Sequence, residues 1–276
     1  MTESFDSLAQ SHYENFPVGS IILPAAERAA VRSVYAFARV ADDFADEGDF
    51  RKEVRLERLD EWEHELKRAL TGKSNSAFFR DVAGTIQKYH IHDSLFFDLI
   101  TAFRMDARGT DYPTYGSLEV YCRHSANPIG RIVLQIFGSA SDQNCAHSDA
   151  ICTALQLTNF WQDIGVDIKR NRVYIPREDL ERFGLTREDF LSVHAAPKVL
   201  SLMKFEVERT KRLFEEGKPL LRSVGRRFSF ELRLTVEGGM KILEKIEAMG
   251  YDSFHHRPIV STVDWITIIT KSLVAG

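Results

Sequence analysis

Apolar residues recur every three or four positions along most of the chain, which is the period of an amphipathic helix. The stretch AAERAAVRSVYAFARVADDFAD shows this period clearly. Its apolar row consists of Val31, Val34, Tyr35, Ala38 and Ala41. Alternating strand patterns and Asn-Gly or Asp-Gly hairpin signals are missing. The pattern therefore predicts an all-α protein.

Breaks in the pattern divide the chain into a series of helices. After the first helix, which follows Pro24, we expect helices at about Lys52 to Leu70, Ser76 to Tyr89, Asp93 to Ala107, Thr114 to Ser139, Ala146 to Lys169, Arg177 to Phe183, Arg187 to Leu191, Lys198 to Gly217, Ser229 to Met249 and Ser261 to Leu273. Asp93 predicts an N-cap and Gly109 a helix end. No linker rich in Gly, Ser or Pro separates these helices, so one domain covering residues 1–276 is predicted.

Composition excludes several classes of protein. Hydrophobic content of 44% and charged content of 28% are ordinary for a globular chain. A net charge of -4 gives no sign of nucleic-acid binding. Cys122, Cys145 and Cys152 have no metal-like spacing, and the N-terminus lacks the basic and apolar regions of a signal peptide. A reduced, cytoplasmic setting is expected, with no membrane-spanning helix.

The first chemical signal is the end of the first helix, YAFARVADDFADEGD. Its acids are Asp42, Asp43, Asp46, Glu47 and Asp49, with Arg39 as the one nearby cation. Carboxylates three or four residues apart on a helix repel by about 0.2–0.5 kcal/mol per pair. Negative charge in a last turn also opposes the helix dipole. A functional counter-ion would explain this placement.

A second acidic feature is LTNFWQDIGVDIKRNRVYIP, in which Asn159, Asp163 and Asp167 recur every four residues. On a helix these three side chains lie on one face. The alternative interpretation is a solvated surface, but the same helix carries Phe160 and Trp161, and Asp is a weaker helix former than Glu. Carboxylate-rich faces are suited to Mg²⁺, which prefers oxygen ligands and substrate phosphates.

These motifs resemble the squalene and phytoene synthases, the head-to-head isoprenyl diphosphate synthases. The stretches YAFARVADDFAD, YCRHSANPIGR and LTNFWQDIGVDIKRNRVYIPREDL occur in the family's order and approximate spacing. The resemblance implies an isoprenoid (terpenoid) synthase fold, a single helical domain around a central cavity. It also implies Mg²⁺-assisted loss of diphosphate from an isoprenyl diphosphate substrate, followed by carbocation chemistry.

The resemblance also implies roles for particular side chains. The candidate Mg²⁺ ligands are Asp42, Asp43, Asp46, Asn159, Asp163 and Asp167. The candidates near the diphosphate are Tyr35, Arg39, Tyr121, Arg172 and Tyr174. For Arg172 the alternative is a surface salt bridge. The candidates for an apolar cavity are Phe16, Phe37, Ile132, Val133, Ile136, Leu157 and Phe160, each with ordinary helix-packing core as the alternative.

Two segments depart from the usual family pattern. In HYENFPVGS, Tyr13 and Asn15 stand where the family carries serines. In YCRHSANPIG, Ser125 replaces Val and Asn127 replaces Gly. This combination resembles the hydroxysqualene synthases of the three-enzyme bacterial squalene pathway, which convert presqualene diphosphate and water to hydroxysqualene.

Our hypothesis is that Ser125 and Asn127 hold the water that captures the carbocation. The alternative is that Asn127 and Pro128 only change the helix break, since Pro disfavours helical geometry at the residue before it. Neither interpretation requires a nicotinamide, and no strand-linked Gly-rich fingerprint asks for one. Gly238 and Gly239 lie inside a helical pattern, which predicts close approach of another helix or of the ligand.

Other functions remain as alternatives. Within the family, the enzyme would condense two farnesyl diphosphates to presqualene diphosphate, squalene or dehydrosqualene. A non-catalytic assembly factor would be expected to lose its Asp motifs, and both are whole here. The apolar terminal stretch IVSTVDWITIITKSLV, with Trp265, suits a lipid surface or packing within the molecule, and we favour packing. Loose association with the inner face of the membrane and coupling to other enzymes of the squalene pathway are further expectations.

Overall fold

The computed structural model describes residues 24–48, 50–109, 111–192 and 196–274 of the chain. Across these ranges all regular structure is helical and no strand occurs. The all-α prediction is therefore confirmed. None of the helices in the same ranges has the length and apolar character needed to cross a membrane.

Thirteen helices lie within the described residues. The first seven are α1 (Ala25–Asp46), α2 (Lys52–Leu70), α3 (Ala77–Lys88), α4 (Ser94–Arg108), α5 (Tyr115–Ser125), α6 (Asn127–Ile136) and α7 (Asp142–Lys169). The other six are α8 (Arg177–Arg182), α9 (Arg187–Ser192), α10 (Pro197–Gly217), α11 (Leu220–Ser223), α12 (Arg226–Ala248) and α13 (Thr262–Val274).

The single helix predicted from Thr114 to Ser139 is wrong, because the structure has two helices there. Helix α5 ends at Ser125 and α6 starts at Asn127, with Ala126 between them. Pro128 lies in the first turn of α6, has no N–H to donate and clashes with the carbonyl four residues earlier. The chain therefore cannot continue α5 through this point as one regular helix.

Other predicted helix ends agree with the structure to within a few residues. Gly109 ends α4 as predicted, with a left-handed φ of 70°. Asp93 is the N-cap residue of α4 as predicted, but its backbone is already helical and its side chain accepts no capping hydrogen bond. Helix α7 starts at Asp142 rather than Ala146.

The described residues form two compact units. The first contains the described residues of Met1–Thr110 together with Pro128–Cys145. The second contains those of Asp111–Asn127 and Ala146–Gly276. The single domain and the central cavity stay predictions.

Aromatic side chains hold the first unit together. Phe37 of α1 is completely buried, and its ring centroid lies 5.1 Å from that of Phe96 in an edge-to-face arrangement. Trp62 of α2 lies 4.5 Å from Phe79 and 5.4 Å from Phe78 of α3. Such pairs contribute about 0.5–1.5 kcal/mol beyond the area they bury. The cluster fixes which side of α1 faces the core.

Helix α7 packs against α10 and α12 in the second unit. Its Trp161 is completely buried, and the indole Nε1–H donates to Thr210 Oγ1 of α10 at 2.8 Å. A Cβ added at Gly239 of α12 would lie 2.6 Å from Phe214 Cζ of α10 and 3.0 Å from Leu155 Cδ2 of α7. The predicted close approach is confirmed at Gly239, and the neighbours are two other helices.

Replacing Gly239 by Ala tests this packing. We expect the free energy of unfolding, measured by urea titration, to fall by about 1–3 kcal/mol, because the added methyl group overfills a closed contact. Gly84→Ala on α3 is the matched control, since a Cβ there meets nothing within 4 Å. The control should gain about 0.5–1 kcal/mol from its better helix propensity. Equal gains in both variants would contradict the close contact at Gly239.

Candidate active site

The first acidic motif forms one row on α1. Tyr35, Arg39, Asp42 and Asp46 follow one another at intervals of four, three and four residues, which aligns them along one face of the helix. The residues that α1 buries are Ala30, Val34, Phe37, Ala41 and Ala45. Core packing therefore leaves the row of polar side chains outside the aromatic cluster.

Arg39 supplies the positive charge of this row. Its guanidinium lies 3.2 Å from Asp42 Oδ2, 2.8 Å from Asp43 Oδ1 and 2.9 Å from Glu47 Oε1. The contacts with Asp42 and Glu47 are hydrogen bonds, whereas the contact with Asp43 is an ion pair without hydrogen-bond geometry. The Nε–H of Arg39 is buried and has no acceptor among the described residues. One guanidinium thus serves three carboxylates and keeps one N–H for a further oxygen.

The ionised form of Asp42 is disfavoured by its surroundings. Partial burial is the largest cause that raises its pKa, although 43% of the side-chain surface stays exposed. Arg39 opposes the shift, and the neighbouring charges of Asp46, Asp43 and Glu47 add to it. Together these causes raise the pKa of Asp42 to about 6. The ionised form of Asp42 is therefore less favourable than that of a solvent-exposed aspartate, even beside Arg39.

The second acidic motif forms a row on α7. Asn159, Asp163 and Asp167 lie at four-residue intervals within this helix, so they share one face over two turns as predicted. Elsewhere on the helix, Leu157 and Trp161 are completely buried. This row belongs to the second unit, whereas the row on α1 belongs to the first.

Residues 253–258, which we call the crossing segment, pass directly over α7. The Nε2–H of Gln162 donates to the carbonyl oxygen of Pro258 at 2.7 Å. A Cβ added at Gly165 would lie 2.2 Å from the carbonyl oxygen of Phe254. Only a glycine at position 165 lets the backbone of the crossing segment lie this close to the helix.

The crossing segment brings Arg257 to Asp163. The guanidinium forms two contacts with the carboxylate, one from Nε to Oδ1 and one from Nη2 to Oδ2 at 3.3 Å. Sequence analysis missed Arg257, because 94 residues separate it from Asp163 and no motif relates them. Arg257 compensates the charge of Asp163 and presents a donor suited to an oxyanion.

Predicted aromatic residues come together beside the second row. The ring of Tyr174 stacks on that of Phe160, with centroids 3.7 Å apart and planes 8° apart. The ring of Tyr121 lies 6.0 Å from Phe160 and 6.5 Å from Tyr174. Tyr112, which sequence analysis missed, lies 5.7 Å from Tyr121. Three of the predicted side chains are thus neighbours within the second unit.

The end of α7 positions the Arg172–Tyr174 motif. Asn171 takes a left-handed φ of 57°, which Asn tolerates better than most residues. The backbone N–H of Arg172 then donates to the carbonyl oxygen of Asp167 at 2.9 Å. Arg172 therefore follows directly on the last carboxylate of the row.

The break between α5 and α6 contains two buried polar groups. The hydroxyl oxygen of Ser125 is buried and has no hydrogen-bond partner in the described part of the chain. Asn127 is 7% exposed, and its Oδ1 accepts a hydrogen bond from Thr153 Oγ1 of α7 at 3.0 Å. That bond fixes the orientation of the amide. A buried hydroxyl without a partner is costly, and a bound water or ligand would satisfy it.

The candidates for an apolar cavity have different positions. Phe37, Ile132 and Ile136 belong to the buried core of the first unit, which favours the core interpretation for these three. Leu157 is completely buried in the second unit, and Val133 is half-buried. Phe16 and the HYENFPVGS segment lie outside the described residues.

The acidic rows fit a divalent cation by their chemistry. No group of three or more His, Cys, Asp or Glu side chains within the described ranges already converges on a common point. The rows nevertheless offer carboxylate and amide oxygens, the ligands that hard cations prefer. A bound cation would lower the raised pKa of Asp42. An oxyanion held by that cation would accept a hydrogen bond from the unsatisfied Nε–H of Arg39.

Glu231 on α12 is a buried carboxyl that sequence analysis missed. It is 7% exposed, and its Oε1 has no hydrogen-bond partner among the described residues. Burial raises its pKa to about 7. Glu206 on α10 is also buried, but it pairs with Arg209 at 3.1 Å. Glu231 therefore carries an uncompensated charge inside the second unit when it is ionised.

Comparison with known proteins agrees with these motifs. The family model for squalene/phytoene synthase matches residues 9–264. Squalene synthase HpnC from Alicyclobacillus acidocaldarius, a crystal structure, is 42% identical, with a TM-score of 0.84 over 90% of this chain and 93% of that chain. A dehydrosqualene synthase solved with a ligand has a TM-score of 0.88 over 98% and 94%, but its 23% identity supports the fold alone. The predicted isoprenoid synthase fold is confirmed.

Other relatives of the chain are named as phytoene synthases rather than squalene synthases. The 15-cis-phytoene synthase of Synechocystis sp. is 29% identical over 261 residues, which are 90% of this chain and 77% of that protein. Phytoene synthase 1 of Solanum lycopersicum is 26% identical over 270 residues, which are 95% of this chain and 65% of that protein.

The unpaired carboxyl of Glu231 gives a pH-dependent test. Because its pKa is raised from 4.5 to about 7 on folding, the folded chain binds more protons between these values and stability falls as pH rises through this window. Glu231→Gln removes this titration. We expect the variant to gain stability over the unmodified chain at about pH 8 and little at about pH 5, measured by urea unfolding. A stability difference that does not change with pH would contradict the uncompensated burial.

Proposed function

Because the chain belongs to the squalene/phytoene synthase family, whose members are head-to-head isoprenoid synthases, we propose that it is a hydroxysqualene synthase. In this reaction presqualene diphosphate and water give hydroxysqualene and diphosphate. The observation that carries the proposal is the helix break around Ala126. There a buried Ser125 hydroxyl without a partner among the described residues lies two positions from the buried amide of Asn127.

We assign binding of the diphosphate leaving group to the two acidic rows. The family acts on isoprenyl diphosphates and depends on divalent metals in general. The residues that would hold Mg²⁺ are Asp42, Asp43, Asp46, Asn159, Asp163 and Asp167. Bound to them, Mg²⁺ supplies positive charge that stabilises the leaving diphosphate.

Arginine side chains bind the same leaving group in this proposal. Arg39 Nε–H has no acceptor among the described residues, so a diphosphate oxygen can take that place. Arg257 pairs with Asp163. Once a metal ion compensates the charge of Asp163, the guanidinium of Arg257 can bind a diphosphate oxygen instead. Arg172 and Tyr174 have diphosphate-binding roles by resemblance to the family.

Water capture is assigned to the helix break. Departure of diphosphate breaks a C–O bond and leaves a carbocation, to which a water oxygen adds before one proton is lost to solvent or to the departed diphosphate. Ser125 can both accept from and donate to that water. The hydrogen bond from Thr153 holds the Asn127 amide in one orientation. A polar pair held in this way favours capture by water over hydride transfer.

The second candidate function is condensation of two farnesyl diphosphates. The name of one relative, a squalene synthase that is 42% identical, favours it. It would use the same acidic rows and differ only in the fate of the cation. A non-catalytic assembly factor is disfavoured, because both acidic rows are whole.

The proposal also defines the neighbouring reactions. A condensing homologue must supply presqualene diphosphate, and a flavoprotein must reduce the alcohol that this chain releases. Coupling to those two enzymes remains an expectation from the resemblance.

Incubation with Mg²⁺ and presqualene diphosphate, and separately with farnesyl diphosphate, tests the proposed function. Mass analysis should find hydroxysqualene from presqualene diphosphate. The double variant Ser125→Val, Asn127→Gly should release diphosphate but form at least ~10-fold less alcohol per diphosphate, since it loses the polar groups that hold water. Ser148→Val, which replaces a buried hydroxyl of α7 in the same unit, is the control.

Two results would contradict the proposal. Consumption of farnesyl diphosphate alone would show that the chain is a condensing enzyme. An unchanged ratio of alcohol to diphosphate in the double variant would remove Ser125 and Asn127 from water capture, even if hydroxysqualene is the product.

A further inference from the structure

Helix α13 is attached to the second unit by one of its sides. It packs against α12, with Ile268 and Ser272 buried at 4% and 2% exposure. Asp264 in its first turn pairs with Lys245 of α12 at 2.6 Å and accepts hydrogen bonds from Ser261. The inner side of this helix therefore already has its packing and ionic partners. The sequence-based preference for packing within the molecule holds for this side only.

The opposite side of α13 is apolar and faces outwards. Four aliphatic residues of the helix recur at intervals of three, three and four positions, and a fifth lies three residues before the helix starts. This outer stripe consists of Ile259, Val263, Ile266, Ile269 and Leu273, which are 59%, 72%, 60%, 40% and 66% exposed. Large aliphatic side chains concentrated on an exposed helix face mark an interaction surface.

The outer stripe contains no charged group. Among the other exposed residues between its members, Thr262, Thr267 and Thr270 are uncharged. The charged residues of the helix lie away from the stripe: Asp264 is bound to Lys245, and Lys271 lies on the flank. An uncharged face does not select a charged partner, so the stripe fits an apolar phase.

The size of the stripe argues against a second copy of this chain as its partner. Five partly exposed aliphatic side chains offer on the order of 500 Å², whereas a stable protein interface buries roughly 800 Å² on each partner. The 13 residues of α13 span about 20 Å at 1.5 Å per residue, too short for the hydrocarbon core of a bilayer. A helix of this length with one apolar face can lie in the surface of a membrane.

We propose that the outer stripe docks α13 onto a lipid bilayer, parallel to its surface and at the boundary between headgroups and acyl chains. The family's isoprenyl diphosphate substrates have apolar chains that partition into bilayers, so docking would bring the enzyme to its substrate and product. The proposal does not depend on which isoprenoid is formed. It concerns a physical surface that can be tested without turnover.

Co-sedimentation with phosphatidylcholine vesicles at high salt tests the docking. The unmodified chain should bind, because apolar insertion does not need anionic lipid. The triple variant Val263→Gln, Ile266→Gln, Leu273→Gln should lose at least ~10-fold in partition coefficient, since it removes three exposed aliphatic groups. Thr270→Leu, which fills the centre of the stripe, should strengthen binding. Thr267→Gln with Lys271→Gln changes the flank of the same helix and should bind as the unmodified chain does.

Three results would overturn the proposal. One is equal vesicle binding by the triple variant and the unmodified chain. Another is binding that requires phosphatidylglycerol and disappears at high salt. The third is a dimer that the triple variant dissociates, without vesicle binding by either protein, which would make a second copy the partner. Activity plays no part in these results, so they are independent of the proposed reaction.

Discussion

The ion pairs of Arg39 are the interaction on which the first acidic row depends. One guanidinium contacts Asp42, Asp43 and Glu47, and Asp46 adds a further charge on the same face. Burial is the main cause of the raised pKa of Asp42, and repulsion by the neighbouring carboxylates adds to it. A helix selected for stability alone would not end in this way. In the proposed bound state, a cation would add to the positive charge that Arg39 supplies.

In the second unit, a carboxylate of the acidic row is also paired with an arginine, and this arginine lies far from it along the chain. Asp163 pairs with Arg257, which the crossing segment holds over α7 because Gly165 has no side chain there. Each row thus has an arginine that stabilises the carboxylates of the protein itself. The same arginines are suited to an oxyanion once a metal takes over their carboxylates. In the proposed function, the rows would support ionisation of a diphosphate, and the polar pair at the helix break would determine the fate of the cation.

The fold class, most helix positions and both acidic rows could be predicted from sequence, because they are periodic and local. The apolar period gave the helices, and the four-residue spacing gave the rows. Periodicity alone does not predict the break at Ala126, because the apolar period continues through Pro128. Arg257 and Glu231 could not be found, because ion pairing over 94 residues and burial of one carboxyl arise only from tertiary packing.

The most direct test of this account is thermal unfolding with Mg²⁺ and inorganic diphosphate, added singly and together. A ligand that binds only the folded chain raises the midpoint temperature of unfolding. At a ligand concentration 100 times the dissociation constant, the free energy of unfolding rises by about 2.7 kcal/mol. We predict a large shift only when both are present, and its loss in Asp42→Asn and Asp163→Asn, which should themselves fold normally. An equal shift in these variants, or none in the unmodified chain, would contradict the assignment of the rows to a metal–diphosphate site.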